Sequence, residues 1–234
     1  MKRKFLNVIV FASLICSSIV LLYSLYNIFL WFNDNINTKK EINKINSNFK
    51  IDGEKNIDVS FKSLLEDNNE TVGWLIVRDT SINYPVVKHD NNDYYLTHSF
   101  DKSYNKAGWI FMDYRNSIDM SDRNTIIYGH NRKDGSMFGS LNKVLSKDWI
   151  DNKENLIIEY ITNKEDYKYQ VFSVYKIFEN TDYMNIDPNQ DLLDLIRKRS
   201  IYDFDIEVNK DDKILTLQTC YDNSKKIILH AKKI

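Results

Sequence analysis

Twenty-eight consecutive residues without a charge, Phe5 to Phe32, follow Lys2, Arg3 and Lys4 at the N-terminus. As a helix this run is about 42 Å long at ~1.5 Å per residue, which exceeds the ~30 Å hydrocarbon core of a bilayer. The cationic cluster before it and Asp34 after it predict a single span, with the N-terminus cytoplasmic and the bulk of the chain outside the cell. Trp31 and Tyr26 suit the outer interface. A cleaved secretory signal would carry a shorter apolar core, ~7–15 residues, and a small-x-small site. No clean site follows here, and Ile15 before Cys16 fits a lipoprotein cleavage site poorly. Residues 1–32 are therefore expected to be a retained signal-anchor.

The remainder has a globular profile. The chain of 234 residues is 43% hydrophobic, enough for a real core, and its 6 Gly and 2 Pro argue against long flexible linkers. Beyond residue 32 it carries 29 Lys+Arg against 33 Asp+Glu. That mild acidity, with only short Lys pairs, argues against a nucleic-acid partner.

Residues 33–72 read as a helical stalk. Ile42, Ile45 and Phe49 recur at helical spacing over 33–56, and Phe61, Leu64 and Leu65 suggest a further short helix. From Gly73 the pattern turns to short β-rich runs: Trp74–Val77, Ile82–Val87, Gly108–Met112, Thr125–Tyr128, Leu156–Ile161, Tyr167–Phe178, Lys213–Thr219 and Lys226–Lys232. Pro85 marks an edge or bulge in the second run. A polar turn at Asn163–Asp166 makes the fifth and sixth a hairpin. Asp93–Leu96 reads as a helical turn. Ser136–Leu145 and Asp191–Arg199 read as helices, the latter with Pro188 ahead of it. Residues 73–234 are thus expected to form a mainly β domain, a closed or nearly closed barrel of about eight strands. A helix-containing insertion precedes the penultimate strand.

Cys220 ends the run Thr216-Leu217-Gln218-Thr219-Cys220 and is the only cysteine outside the N-terminal segment. With no disulfide partner in the external region, it is either an inert thiol or a nucleophile, and a free thiol at its ordinary pKa of ~8.5 needs a base to be useful. Four histidines could serve. His130 follows an apolar strand and opens the polar loop Asn131–Gly135, where either a solvated side chain or a general base fits. His89 and His98 lie in polar loops and read as surface residues. His230 lies within the last strand and reads as structural. The lack of C-x-x-C or H-x-x-x-H spacing argues against a metal site, and nothing in the sequence calls for a cofactor.

The segments Thr216–Cys220, Tyr128-Gly129-His130-Asn131 and Ala107–Asn116 together resemble the sortases, the transpeptidases that attach proteins to Gram-positive cell walls. Ala107–Asn116 is most similar to class B. Asn83–Val87 and Asp93–Leu96 fit the same pattern, as does the insertion between Tyr175 and Asp212.

The resemblance implies a sortase-like barrel and thiol-based acyl transfer at a C-terminal sorting motif, with a cell-wall peptidoglycan amine as acceptor. It implies Cys220 as nucleophile and His130 as acid and base. It places Asn92 and Leu96 on a helix lining one side of a groove, with Tyr183 and Met184 on the other and Thr219 beside the nucleophile. Asp222 matches an acidic position of some class B members. The family's catalytic arginine has no counterpart; Lys226 stands in its place, and Arg132 is a second candidate cation. Lysine supplies the charge but not the planar two-pronged donor. This departure leaves two other readings open: a sortase-like binding module of weak or no activity, and a tethered cysteine peptidase.

Overall fold

The computed structural model describes residues 2–48, 57–178, 180–220 and 224–234. Residues 49–56, within the expected stalk, and Asp222 lie outside them.

Helix α1 runs unbroken over Lys2–Asn48. It is the one helix among the described residues long and apolar enough to cross a membrane, and its apolar side chains from Phe5 to Phe32 are largely exposed. Beyond Phe32 the same helix turns one face to the protein. Asn35, Thr38 and Ile45 are buried there, spaced as one helical stripe. Helix α2 (Ile57–Asp67) adds Phe61 and Leu64 to the same core.

Eight strands follow: β1 (Thr71–Val77), β2 (Asn83–Val87), β3 (Phe111–Met112), β4 (Asn124–Tyr128), β5 (Ile157–Ile161), β6 (Asp166–Phe178), β7 (Ile214–Cys220) and β8 (Lys225–Lys233). They close into a barrel in the order β1-β2-β3-β4-β7-β8-β6-β5. The expected eight-stranded barrel is therefore the fold. Closure removes the free edge suggested by Pro85. Pro85 pairs with Trp74 of β1, while β3 meets β2 only at Val87. The missing N–H of Pro85 thus leaves no gap in a ladder.

Alternation along the strands divides two cores. Leu215 and Leu217 of β7 and Ile227, Leu229 and Ala231 of β8 belong to the large core cluster. Ile214 and Ile228, of opposite parity, join a second cluster with Tyr183 and helix α4 (Gln190–Arg199). This helix lies in the insertion between β6 and β7. Asn189 caps it by accepting from Leu192 N at 3.0 Å. Arg199 in its last turn holds Asp182 through two 2.6 Å bonds. Burial of Leu193 and Ile196 stabilises the insertion by roughly 1.5–3 kcal/mol per side chain.

One helix and one strand expectation change. Ser136–Leu145 is not an α-helix: only Leu141–Leu145 winds, as a 3-10 turn, leading into a short helix α3 (Lys147–Asp151). The expected third strand is also shorter, confined to Phe111–Met112.

His230 occupies the second core. Asn124 Oδ1 accepts from the Thr216 hydroxyl at 2.6 Å, so Thr216 must accept from His230 Nδ1–H at 2.8 Å. His230 Nε2 is then left to accept from the Tyr175 hydroxyl at 3.0 Å. One neutral tautomer satisfies every atom. Burial, with a smaller contribution from Arg199, pushes its pKa down to about 3. Because the folded value lies below the unfolded ~6.5, its contribution to stability is complete above that pH and is lost as pH falls toward 3. Unfolding of the chain in detergent should show His230→Gln flattening the loss of stability between pH 7 and pH 5 by about 2 kcal/mol. An unchanged pH slope would contradict the neutral, buried imidazole.

Candidate active site

The site rests on the parallel pairing of β4 and β7. Their register runs from Asn124 opposite Ile214 to Tyr128 opposite Gln218. Gly129 N extends it by donating to Gln218 O at 3.3 Å. His130 and Cys220 each follow two residues after the last pair of the parallel register, so both positions lie at the same end of the two strands. On the other flank of β7, Cys220 pairs directly with Lys226 of β8. The three expected catalytic positions thus lie across three adjacent strands at one end of the barrel.

Local contacts fix His130. Its Nε2 lies 2.8 Å from Leu96 O. A carbonyl only accepts, so Nε2 carries the proton and the neutral ring keeps Nδ1 as its basic nitrogen. The ring also lies against Gly108, whose φ is +62°. A side chain there would place Cβ 2.9 Å from His130 Cδ2 and 2.5 Å from Tyr95 O. Glycine is required at this position both by backbone conformation and by the close approach.

Leu96 ends the 3-10 turn Tyr94–Leu96 and is partly exposed. Asn92 lies in the bend before this turn rather than on it. Its side chain accepts from Tyr114 N at 3.0 Å and donates to Asp113 at 3.2 Å. Opposite, Tyr183 and Met184 belong to a second 3-10 turn, Asp182–Met184, in the insertion. Tyr183 is buried, and its hydroxyl donates to Gln218 at 3.1 Å. Met184 is partly buried and touches the large core cluster. Thr219 is fully buried, with the parity of Leu215 and Leu217. Arg132 is bonded to Asn35 and, at 3.1 Å, to Ser136, with Asp134 3.4 Å away.

The sequence alone did not point to the group that joins the Asn92 bend to β4 and the insertion. Asp113 has no exposed surface. It receives Arg115 through two bonds of 2.9 and 2.8 Å, the Tyr128 hydroxyl at 2.6 Å, and Asn92. Arg115 in turn donates to Met184 O at 3.0 Å. Burial alone would raise the Asp113 pKa, but the bonds from Arg115 and Tyr128 outweigh it and hold the carboxyl at about 2. The signal was present as Asp113-Tyr114-Arg115, an acid and a base two residues apart after a strand.

His89 and His98 are not simple surface residues either. Both are half-buried and sandwich the Tyr94 ring, with centroids at 4.3 and 4.0 Å. Among the described residues no group of three or more His, Cys, Asp or Glu side chains could hold a metal.

Residues 75–234 match the model of the sortase domain family. The chain belongs to the sortase family. Sortase B of Listeria monocytogenes is 38% identical over 164 residues, covering 68% of this chain and 66% of that protein. Sortase B of Staphylococcus aureus is 35% identical over 190 residues, 77% of each chain. A solved Staphylococcus aureus sortase B–substrate complex superposes with a TM-score of 0.75 at 33% identity, covering 86% of this chain and 96% of that one. The likeness is to class B members throughout. The match spans just under two thirds of the Listeria protein's own length.

Asp113→Asn should cost about 2 kcal/mol in urea unfolding, since it leaves Arg115 without its counter-charge and weakens a buried acceptor. Unfolding energies within ~0.5 kcal/mol of the unsubstituted chain would show that the network is dispensable.

Proposed function

We propose that the chain is a membrane-anchored class B sortase, a cysteine transpeptidase that cleaves secreted proteins at a C-terminal sorting motif and joins them to a peptidoglycan amine. What supports this reading is the backbone register: Cys220 pairs with Lys226, and His130 and Cys220 each follow two residues after the last pair of β4 with β7. The apolar run of α1 supports an anchor over residues 1–32, with the N-terminus cytoplasmic and the domain over 73–234 outside. Residues 33–70 then join the span to the barrel, with Ile45 of α1 and Phe61 and Leu64 of α2 packed into its core.

In this reading the Cys220 thiolate attacks the carbonyl carbon of the motif's threonine. The tetrahedral intermediate collapses as protonated His130 gives its proton to the departing amine, leaving a thioester on Cys220. The wall amine then attacks the thioester and transfers a proton back to His130, releasing the thiolate. Since Nε2 is committed to Leu96 O, Nδ1 is the nitrogen that exchanges protons. Lys226 supplies the positive charge beside the developing oxyanion. It does so as a point charge, where an arginine would offer two parallel donors. Arg132 is turned to Asn35, Ser136 and Asp134, which favours Lys226 over it for this role. Leu96 and Met184 provide groove surface. Asn92 and Tyr183 hold the two walls, and Thr219 supports the nucleophile from the buried face of β7.

The test is to incubate the full chain in detergent with a library of sorting-motif peptides and weigh it intact. An acyl adduct on Cys220 is expected, discharged faster when an amine is added. Cys220→Ala should abolish the adduct, and His130→Ala should lower turnover by about 10²–10⁴-fold. Lys226→Arg should raise it by up to 10². An adduct seen only with Lys226→Arg would instead identify the natural chain as a binding module. Discharge by water, indifferent to amines, would identify a peptidase.

A further inference from the structure

The buried stripe of α1 reaches the two loops that hold His130. Thr38 is fully buried, and its hydroxyl donates to Asp34 O at 2.8 Å. That hydroxyl also accepts from Asn105 Nδ2 at 3.0 Å. Asn105 is itself buried, and its amide reaches Asp34 O at 3.4 Å. One turn further along α1, Glu41 accepts from Asp101 N at 2.7 Å. The helix therefore grips the loop 98–107 at two points.

This loop leads straight to the histidine. Asn105 O accepts from Gly108 N at 2.9 Å, and Gly108 is the residue against which the His130 ring lies. Trp109 N, the next amide, donates to Tyr95 O at 2.9 Å, beside the Leu96 carbonyl that fixes Nε2. A second route starts at Asn35, whose side-chain oxygen accepts from Arg132. Arg132 N donates to His130 O at 3.1 Å. Thus α1 is bonded to the segment in front of the imidazole and to the segment that follows it.

We propose that Asn35 and Thr38 are positioning residues for His130, so that the helix continuing from the apolar run is part of the catalytic support. The inference rests on His130 acting as the acid and base described above. Neither residue touches reacting atoms. They act through Asn105–Gly108 and through Arg132. Removing the Thr38 hydroxyl leaves the buried Asn105 Nδ2 donor only the long bond to Asp34 O. Unsatisfied buried donors are relieved by movement of the segment that carries them, and the segment here is the wall of the imidazole pocket. Small displacements of a proton-transfer group are costly in rate, up to ~10² for about 1 Å.

The experiment uses the full chain in detergent micelles, with Thr38→Val, Thr38→Ser, Asn35→Ala and the Thr38→Val/Asn35→Ala pair. The substrate is a peptide selected by the library experiment. Thr38→Val and Asn35→Ala should each lower kcat about tenfold or more, with KM within twofold, and Thr38→Ser should restore it. Ring 15N–1H spectra should show the His130 Nε2–H signal shifted or broadened in Thr38→Val and in the pair, while the His230 signals stay in place. An unchanged kcat would overturn the proposal. So would a loss that merely tracks the unfolded fraction, no recovery with serine, or an unmoved His130 signal. Should no peptide react with the unsubstituted chain, the assigned function fails on its own, and the ring spectra still decide whether α1 holds the histidine.

Discussion

The parallel pairing of β4 with β7 is the contact on which everything else depends. Parallel neighbours cannot be joined by a tight turn. The chain between them builds β5, β6 and the α4 insertion before it returns. His130 and Cys220, ninety positions apart in sequence, come to the same end of the barrel only when that return is complete. The site is thus a property of the closed barrel, and no fragment short of β7 contains it. The same topology explains why the insertion can form a wall. It leaves from β6 and re-enters at β7, and Asn124 and Gln218 on the paired strands anchor it by bonds to Tyr183 and Asn185.

A second constraint is electrostatic. Asp113 gathers donors from the bend before the first 3-10 turn, from its own loop and from β4, while Arg115 passes the connection to the insertion. A buried carboxylate with this many donors stays ionised, and its geometry is set by all of them at once. The bend at Asn92, the start of the loop after β3, the end of β4 and the insertion are therefore referenced to one another through a single charged group rather than through apolar packing alone.

Much of this was legible in the sequence, for reasons that are physical. Strands β4 to β8 and helix α4 carry continuous apolar or amphipathic patterns, so their period announces them. Cys220 and His130 stood out because each ends such a pattern, and strand ends are where side chains leave a barrel. Lys226 was found by alignment of an apolar strand, and the register placed it opposite Cys220. What escaped was set by tertiary contact. Gly108–Ile110 looks like strand by composition, yet Trp109 is drawn aside to donate to Pro85 O and Gly108 to admit the imidazole. Ser136–Leu145 has helical spacing but is bound by Gly129 packing on Phe138 and by the pairing of Asn131 with Met137. His89 and His98 are recruited by an aromatic ring that polarity alone would not reveal. The Asp113 network draws on residues 92, 113, 115, 128 and 184, a separation that no local window spans.

Helix α1 has no break between its apolar run and the face packed on the domain. With that run in a bilayer, the domain has no joint about which to swivel. The number of residues from Phe32 to Thr38 then acts as a ruler, at ~1.5 Å each, that sets how high above the lipid the barrel is held. If the chain cleaves as proposed, a substrate whose scissile bond emerges at another height would have to bend to reach it, and the length between that substrate's membrane exit and its cleavage point would be selected before any side chain is read.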